Sequence, residues 1–232
     1  VRKDPSNEQA LGLLASVSAS TDLQGALELI DKGIAQAEDK RALRLLRIQI
    51  LRQAGNRQAE VETQYKALMA DYPAEVEFGY QYAQFLASEG RINDIEPVLL
   101  QVIANDPDNV EVRLALVQFI ARSKGVAEAE KLLIEYSTAL PDKHAFRLAL
   151  ASLYQQSGKN NEAYQEYKTV AERAGNENEG LQAKSSMAAL RLSEGKEEEG
   201  EALVEEILAV DSVNAQALIL RAALYLQRNE YK

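Results

Sequence analysis

The chain has 232 residues, of which 46% are apolar and 27% charged, and carries a formal net charge of −10. Those proportions exclude a disordered chain, no stretch approaches the roughly 18 uninterrupted apolar residues of a membrane span, and the acidic balance argues against a nucleic-acid backbone as the main partner. With no cysteine, disulfides, thiolate metal sites and cysteine nucleophiles are excluded together.

The chain opens at Val1 with no charged-then-apolar leader, so a signal peptide is either absent or already removed. A soluble protein of the cytoplasm or the periplasm is expected. Asp4-Pro5-Ser6-Asn7 reads as the end of a preceding helical unit, and helices are predicted over Glu8 to Val17 and Asp22 to Ala37. A basic stretch follows, with Lys40, Arg41, Arg44, Arg47, Arg52 and Arg57. Arg41, Arg44 and Arg47 are three apart and share one helical face, which predicts a basic contact patch or a solvated surface.

From Val76 the organisation becomes periodic. A helix runs to about Ser88, breaks at Glu89-Gly90, and a second runs from about Asn93 to Ala104 before Asp106-Pro107. Pro97 falls in the first turn of that second helix, where its missing N–H costs little. The next unit starts at Val110, breaks at Lys124-Gly125 and closes at Leu140-Pro141. Another starts at His144, breaks at Ser157-Gly158 and closes near Gly175. Pro73, Pro107, Pro141 and Gly175 stand 34 residues apart. Asn176-Glu177-Asn178-Glu179-Gly180 is an insertion that reads as a polar loop. The following pair breaks at Glu194-Gly195 and closes at Asp211-Ser212, and a last helix runs over Ala215 to Gln227.

Apolar positions keep the same period. Ile48, Tyr82, Leu116 and Leu150 form one series, and Leu51, Phe85, Phe119 and Leu153 a second. On the second helices the series are Tyr65, Leu99, Leu133, Tyr167 and Val61, Ile95, Ala129, Ala163. A lone helix pair cannot bury both faces, so matching across units implies stacking on neighbours. Strand signals are nearly absent, and an all-α fold is expected.

Leu150-Ala151-x2-Tyr154 followed by Ala163-x3-Tyr167 and Gly175, and Leu116-Val117-x2-Ile120 followed by Ala129-x3-Leu133 and Pro141, match most of the pattern W-x2-L-G-x2-Y, A-x3-F, P. In these features the chain resembles the tetratricopeptide repeat (TPR) family over nearly its whole length. It departs at the tryptophan position, occupied by Gly79, Arg113 and Arg147. The resemblance implies a right-handed superhelical solenoid of stacked antiparallel helix pairs. About six pairs and one orphan C-terminal helix would form a single solenoid over residues 1–232, a piece of a longer array.

The same resemblance implies that first helices line a concave surface that binds a partner peptide or helix. Carrying the offsets over gives inner columns Tyr80, Leu114, Leu148; Gln84, Gln118, Ser152; and Ser88, Arg122, Gln156. Tyr80, Leu114 and Leu148 are the expected apolar anchors, with Gln84, Gln118 and Arg122 as polar ones. The inward Lys and Asn, four residues apart, with which some relatives clamp chaperone tails are missing from the regular units. A non-catalytic protein-interaction scaffold follows, with no cofactor and no metal. Alternatives are an accessory module of a bacterial envelope-assembly, secretion or polysaccharide-export system, and a segment that self-associates through the last helix.

An enzyme is not expected. His144 is the only histidine, no Ser-His-Asp arrangement, phosphate loop or HExxH occurs, and no calcium loop is present. Acidic residues crowd the stretch from Asn176 to Asp211, including Glu197, Glu198, Glu199, Glu201, Glu205 and Glu206, which predicts either an acidic contact patch or a solvated face.

Overall fold

The structure, a computed structural model, describes residues 8–228; the Asp4-Pro5-Ser6-Asn7 turn and Tyr231-Lys232 lie outside the described residues. Among the described residues there are thirteen α-helices and no strand. They are α1 (Glu8–Ser18), α2 (Leu23–Gln36), α3 (Arg41–Ala54), α4 (Gln58–Asp71), α5 (Val76–Ser88), α6 (Ile95–Asn105) and α7 (Val110–Ser123). Then follow α8 (Val126–Ala139), α9 (His144–Gln156), α10 (Asn160–Ala174), α11 (Asn178–Ser193), α12 (Glu197–Val210) and α13 (Ala215–Gln227). Odd-numbered helices are the first of a pair and even-numbered ones the second.

The chain divides into two compact units, residues 1–112 and 113–232. In the first, α1 packs on α2, α3 on α4 and α5 on α6, and α1 also touches α3. In the second, α9 packs on α8 and α10, α11 on α10 and α12, and α13 on both α12 and α11. Each unit is therefore a stack in which helices pack on their neighbours along the chain, α2 on α3 and α4 on α5 in the first and α8 on α9 and α10 on α11 in the second, while the first helices α1 and α3, α9 and α11, and α11 and α13 also touch.

Repeated chemistry ends the helices. At Gly90 (φ +72°) and Gly158 (φ +74°) the left-handed conformation lets the next amide reach back along the helix, Arg91 N–H to Leu86 O at 2.9 Å and Lys159 N–H to Tyr154 O at 2.9 Å. The second helices end on one turn reused along the chain: Glu75 N–H donates to Tyr72 O, Asn109 to Asp106, Lys143 to Leu140 and Glu177 to Ala174. The proline inside the first three of these turns has no N–H with which to continue the helix.

The periodic apolar series form the core. Ile48, Tyr82, Leu116 and Leu150 are buried, as are Tyr65, Leu99, Leu133, Tyr167 and Val61, Ile95, Ala129, Ala163. Each large side chain so buried stabilises the fold by about 1.5–3 kcal/mol. Phe119 and Leu153 are only half-buried, although they repeat Leu51 and Phe85. The tryptophan position is filled in three ways. A Cβ on Gly79 would lie 2.2 Å from Val102 Cγ2, so α5 rests directly on α6. Arg113 stacks its guanidinium 4.5 Å from the Tyr136 ring centroid, and Arg147 pairs with Glu166 at 2.8 Å.

Two expectations are corrected. Asn178, Glu179 and Gly180 are not loop but the first turn of α11; a Cβ on Gly180 would lie 2.2 Å from Gly175 O, so only glycine lets the chain close on itself there. Four of the five early arginines do not stand as a bare basic patch. Arg41 pairs with Asp39 and Glu75, Arg44 with Asp71 at 3.0 Å, Arg47 with Asp31 at 2.8 Å, and Arg57 with Glu60. The carboxylates that neutralise them come mostly from other helices and loops, so these arginines tie elements together.

Candidate functional site

In the second unit α7 and α9 run beside each other with a cleft of about 300 Å³ between them. From α7 come Leu114, Val117, Gln118, Ala121 and Arg122; from α9 come Ala149, Ser152, Leu153 and Gln156. Leu133 of α8 closes the floor. Helical spacing explains the set: 114, 117, 118 and 121 recur at three and four, and so do 149, 152, 153 and 156. Apolar side chains form the floor and Gln118, Ser152 and Gln156 carry the amides and the hydroxyl. The Gln156 amide donates to Ser152 Oγ at 3.2 Å; Gln118 and Gln156 are exposed and Ser152 is half-buried. The cleft offers van der Waals contact below and hydrogen bonds at the edge.

The first unit has a cleft at the same place in the period. Between α3 and α5 it is about 450 Å³ and is lined by Leu45, Gln49, Arg52 and Gln53 of α3, Gln81 of α5 and Tyr65 of α4, among others. Adding 68 residues, two periods, converts Gln49, Gln53, Tyr65 and Gln81 to Val117, Ala121, Leu133 and Ala149. A third cleft, about 210 Å³, lies between α11 and α13 at Ser185, Ser186, Ala189, Gln216, Ile219 and Leu220.

Five predicted site residues, Leu114, Gln118, Arg122, Ser152 and Gln156, come together in the α7/α9 cleft. Leu148 does not; it is half-buried against the core of α9, α10 and α11, packed on the cluster that includes Ala151, Tyr167 and Met187. Tyr80 and Gln84 belong to the first unit. Gln84 is exposed, whereas the Tyr80 hydroxyl is enclosed and lacks a hydrogen-bond partner. Burial, with Glu111 and Glu77 nearby, pushes that phenol up to about 12. Sequence offsets missed the cleft floor, Val117, Ala121, Leu133, Ala149 and Leu153, because they mark single helix faces while the cleft uses the flank where two first helices meet. No sequence signal marks it, since Leu51, Phe85, Phe119 and Leu153 form an unbroken apolar series and only their burial differs.

The remaining candidates recede. His144 begins α9 half-buried, and among the described residues no group of three or more His, Asp or Glu could hold a metal ion. No helix among the described residues is long and apolar enough to cross a membrane. The α12 glutamates are partly bridged, Glu197 and Glu201 by Arg228 and Glu199 by Arg191.

No protein-family model and no curated protein matches the sequence. Solved structures do match in three dimensions. The C-terminal part of a TPR repeat-containing protein from Cytophaga hutchinsonii superposes with a TM-score of 0.53 over 94% of this chain and 87% of that one, at 16% identity. The fold is that of the tetratricopeptide repeat. A TPR protein from Parabacteroides merdae (TM-score 0.45, 16% identity, 94% and 87% coverage) and MamA from Desulfovibrio magneticus (TM-score 0.48, 14% identity, 76% and 98% coverage) are also similar. In TPR terms, the tryptophan slot of the second unit holds arginines that stack or bridge, and the clefts lie between successive first helices.

Proposed function

We propose that this chain is a non-catalytic protein-interaction scaffold and that the α7/α9 cleft receives a segment of a partner protein. The observation that carries this reading is the composition of the cleft. An apolar floor of Leu114, Val117, Ala121 and Leu153 sits beside Gln118, Ser152 and Gln156. Such a surface takes side chains below and satisfies a partner's backbone amides at the rim. Leu114 is the apolar anchor; Gln118, Arg122, Ser152 and Gln156 are the polar contacts. Tyr80 and Gln84 supply a separate contact on the first unit, and Leu148 supports the core rather than the partner. Nothing in this reading calls for a cofactor or a nucleic acid.

The test is affinity capture from a lysate of the source organism, with the parent chain and with a Leu114→Glu/Val117→Glu variant whose helicity is checked by circular dichroism. A protein retained by the parent and lost by the folded variant supports the cleft. Equal recovery of every protein on both chains overturns it.

A second reading is self-association through α13, favoured by the exposure of Ile219 (67%) and Leu226 (59%). Sedimentation should then give a mass that rises with concentration and falls back in an Ile219→Lys variant.

A further inference from the structure

The net charge of −10 conceals a division of charge between the two kinds of helix. The seven first helices hold ten Lys and Arg against four carboxylates, and all four carboxylates stand at the first or second position of their helix. The six second helices hold five Lys and Arg against eighteen carboxylates. Beyond the opening turns, the first helices carry no acid at all.

The clefts inherit that division. In a chain with 36 Asp and Glu, none lines the α3/α5, α7/α9 or α11/α13 cleft. Two of the three clefts contain an arginine, Arg52 in the first unit and Arg122 in the second. Both are exposed, and among the described residues neither makes an ion pair. Their neighbours on α3 behave otherwise, since Arg41, Arg44 and Arg47 each reach a carboxylate. A guanidinium left without a carboxylate beside an apolar floor is complementary to a negative group held next to an apolar one.

We propose that the partner segment is acidic: an apolar side chain enters the α7/α9 cleft while a side-chain carboxylate next to it pairs with Arg122, and Arg52 plays the same part in the α3/α5 cleft. The inference rests on the scaffold reading above and adds the chemistry of the partner. Carboxylates of the second helices line none of the three clefts, and Glu89, at the end of α5, shares only a neighbouring pocket with Arg52. The clefts act through the charges that line them.

The test uses three pools of synthetic twelve-residue peptides, acetylated and amidated so that no terminal carboxylate takes part. The pools share randomised Leu, Phe and Val positions and differ only in carrying Glu, Gln or Lys between them. Binding to the full chain is read by interferometry at physiological salt. The Glu pool should bind about fivefold or more tightly than the Gln pool, the scale of one hydrogen bond to a charged group partly open to water. Arg52→Gln/Arg122→Gln should bring the Glu pool down to the Gln pool and leave the Gln pool unchanged, while Arg52→Lys/Arg122→Lys should keep most of the preference. Equal binding of the Glu and Gln pools, both lost in Leu114→Glu, overturns the acidic partner and leaves the scaffold standing. Tightest binding by the Lys pool also overturns it. If the parent retains no pool, both proposals fall.

Discussion

The α3/α5 and α7/α9 clefts occupy the same place in the repeat, two periods apart, and differ in the residues that line their flanks. Gln49, Gln53 and Gln81 line the first, where Val117, Ala121 and Ala149 line the second. Below them, Tyr65 stacks on Tyr82 at 5.6 Å in one unit, and Leu133 fills the equivalent place in the other. The helical framework fixes where a cleft forms, through buried positions that recur. On the scaffold reading, what the cleft receives is set by flank residues that differ from one repeat to the next.

The largest effect that would sharpen this contrast is at the floors. Tyr65→Ala should cost about 3–5 kcal/mol, and Leu133→Ala about 2–5 kcal/mol, in urea unfolding monitored by circular dichroism. Tyr65 is the costlier because it loses ring contacts to Tyr82 and Phe85 as well as volume. A cheaper Tyr65→Ala would break the idea that the first cleft rests on an aromatic floor. Gly79→Ala should cost about 1–3 kcal/mol by overpacking against Val102.

The clasps at successive second helices extend the comparison. Glu62 to Arg91 in the first unit and Glu130 to Lys159 in the second are 68 residues apart at both ends. Glu62 also accepts from Lys66 and Tyr82, and these bonds, Lys66 first and then Arg91, hold its carboxyl down to about 2 against an ordinary 4.5. A depressed carboxylate stabilises the fold at pH above its unfolded value and loses that contribution as pH falls. The urea midpoint of the parent should therefore drop between about pH 4.5 and 2, and Glu62→Gln should flatten that drop. Smallest on stability, within about 0.5 kcal/mol, should be Gln49→Val/Gln53→Ala. That variant gives the first cleft the second one's lining, and its affinity for the apolar peptide pools should rise.

Helix positions were legible because burial and turn chemistry repeat together. The 76–88 and 215–227 helices fall where the pattern puts them, and most of the buried series follow the period. The start of α11 was not legible: polar Asn178 and Glu179 resemble a loop, and only the contact of Gly180 with Gly175 reveals a helical turn. Part of the cleft was legible from family offsets, including Leu114, Gln118 and Gln156. Leu148 lies outside the lining of that cleft, because its helix face also packs on the core of α9, α10 and α11. The pairing of Arg41, Arg44 and Arg47 was invisible, since their partners lie up to 34 residues away and no local spacing announces them.

The stacked tyrosines of the first unit have an optical consequence. The chain has ten tyrosines and no tryptophan, so its near-ultraviolet absorption belongs almost wholly to phenol rings. Tyr65 and Tyr82 lie 19° from parallel in the first unit, whereas the ring pair of the second is Tyr136 with Phe146. Near-ultraviolet dichroism, which vanishes when fixed packing is lost, should thus be dominated by coupled transitions of the first pair. A single tryptophan in place of Leu153, in the floor of the second cleft, would then give each unit its own colour, and the melting of the two could be followed in one cuvette without a label.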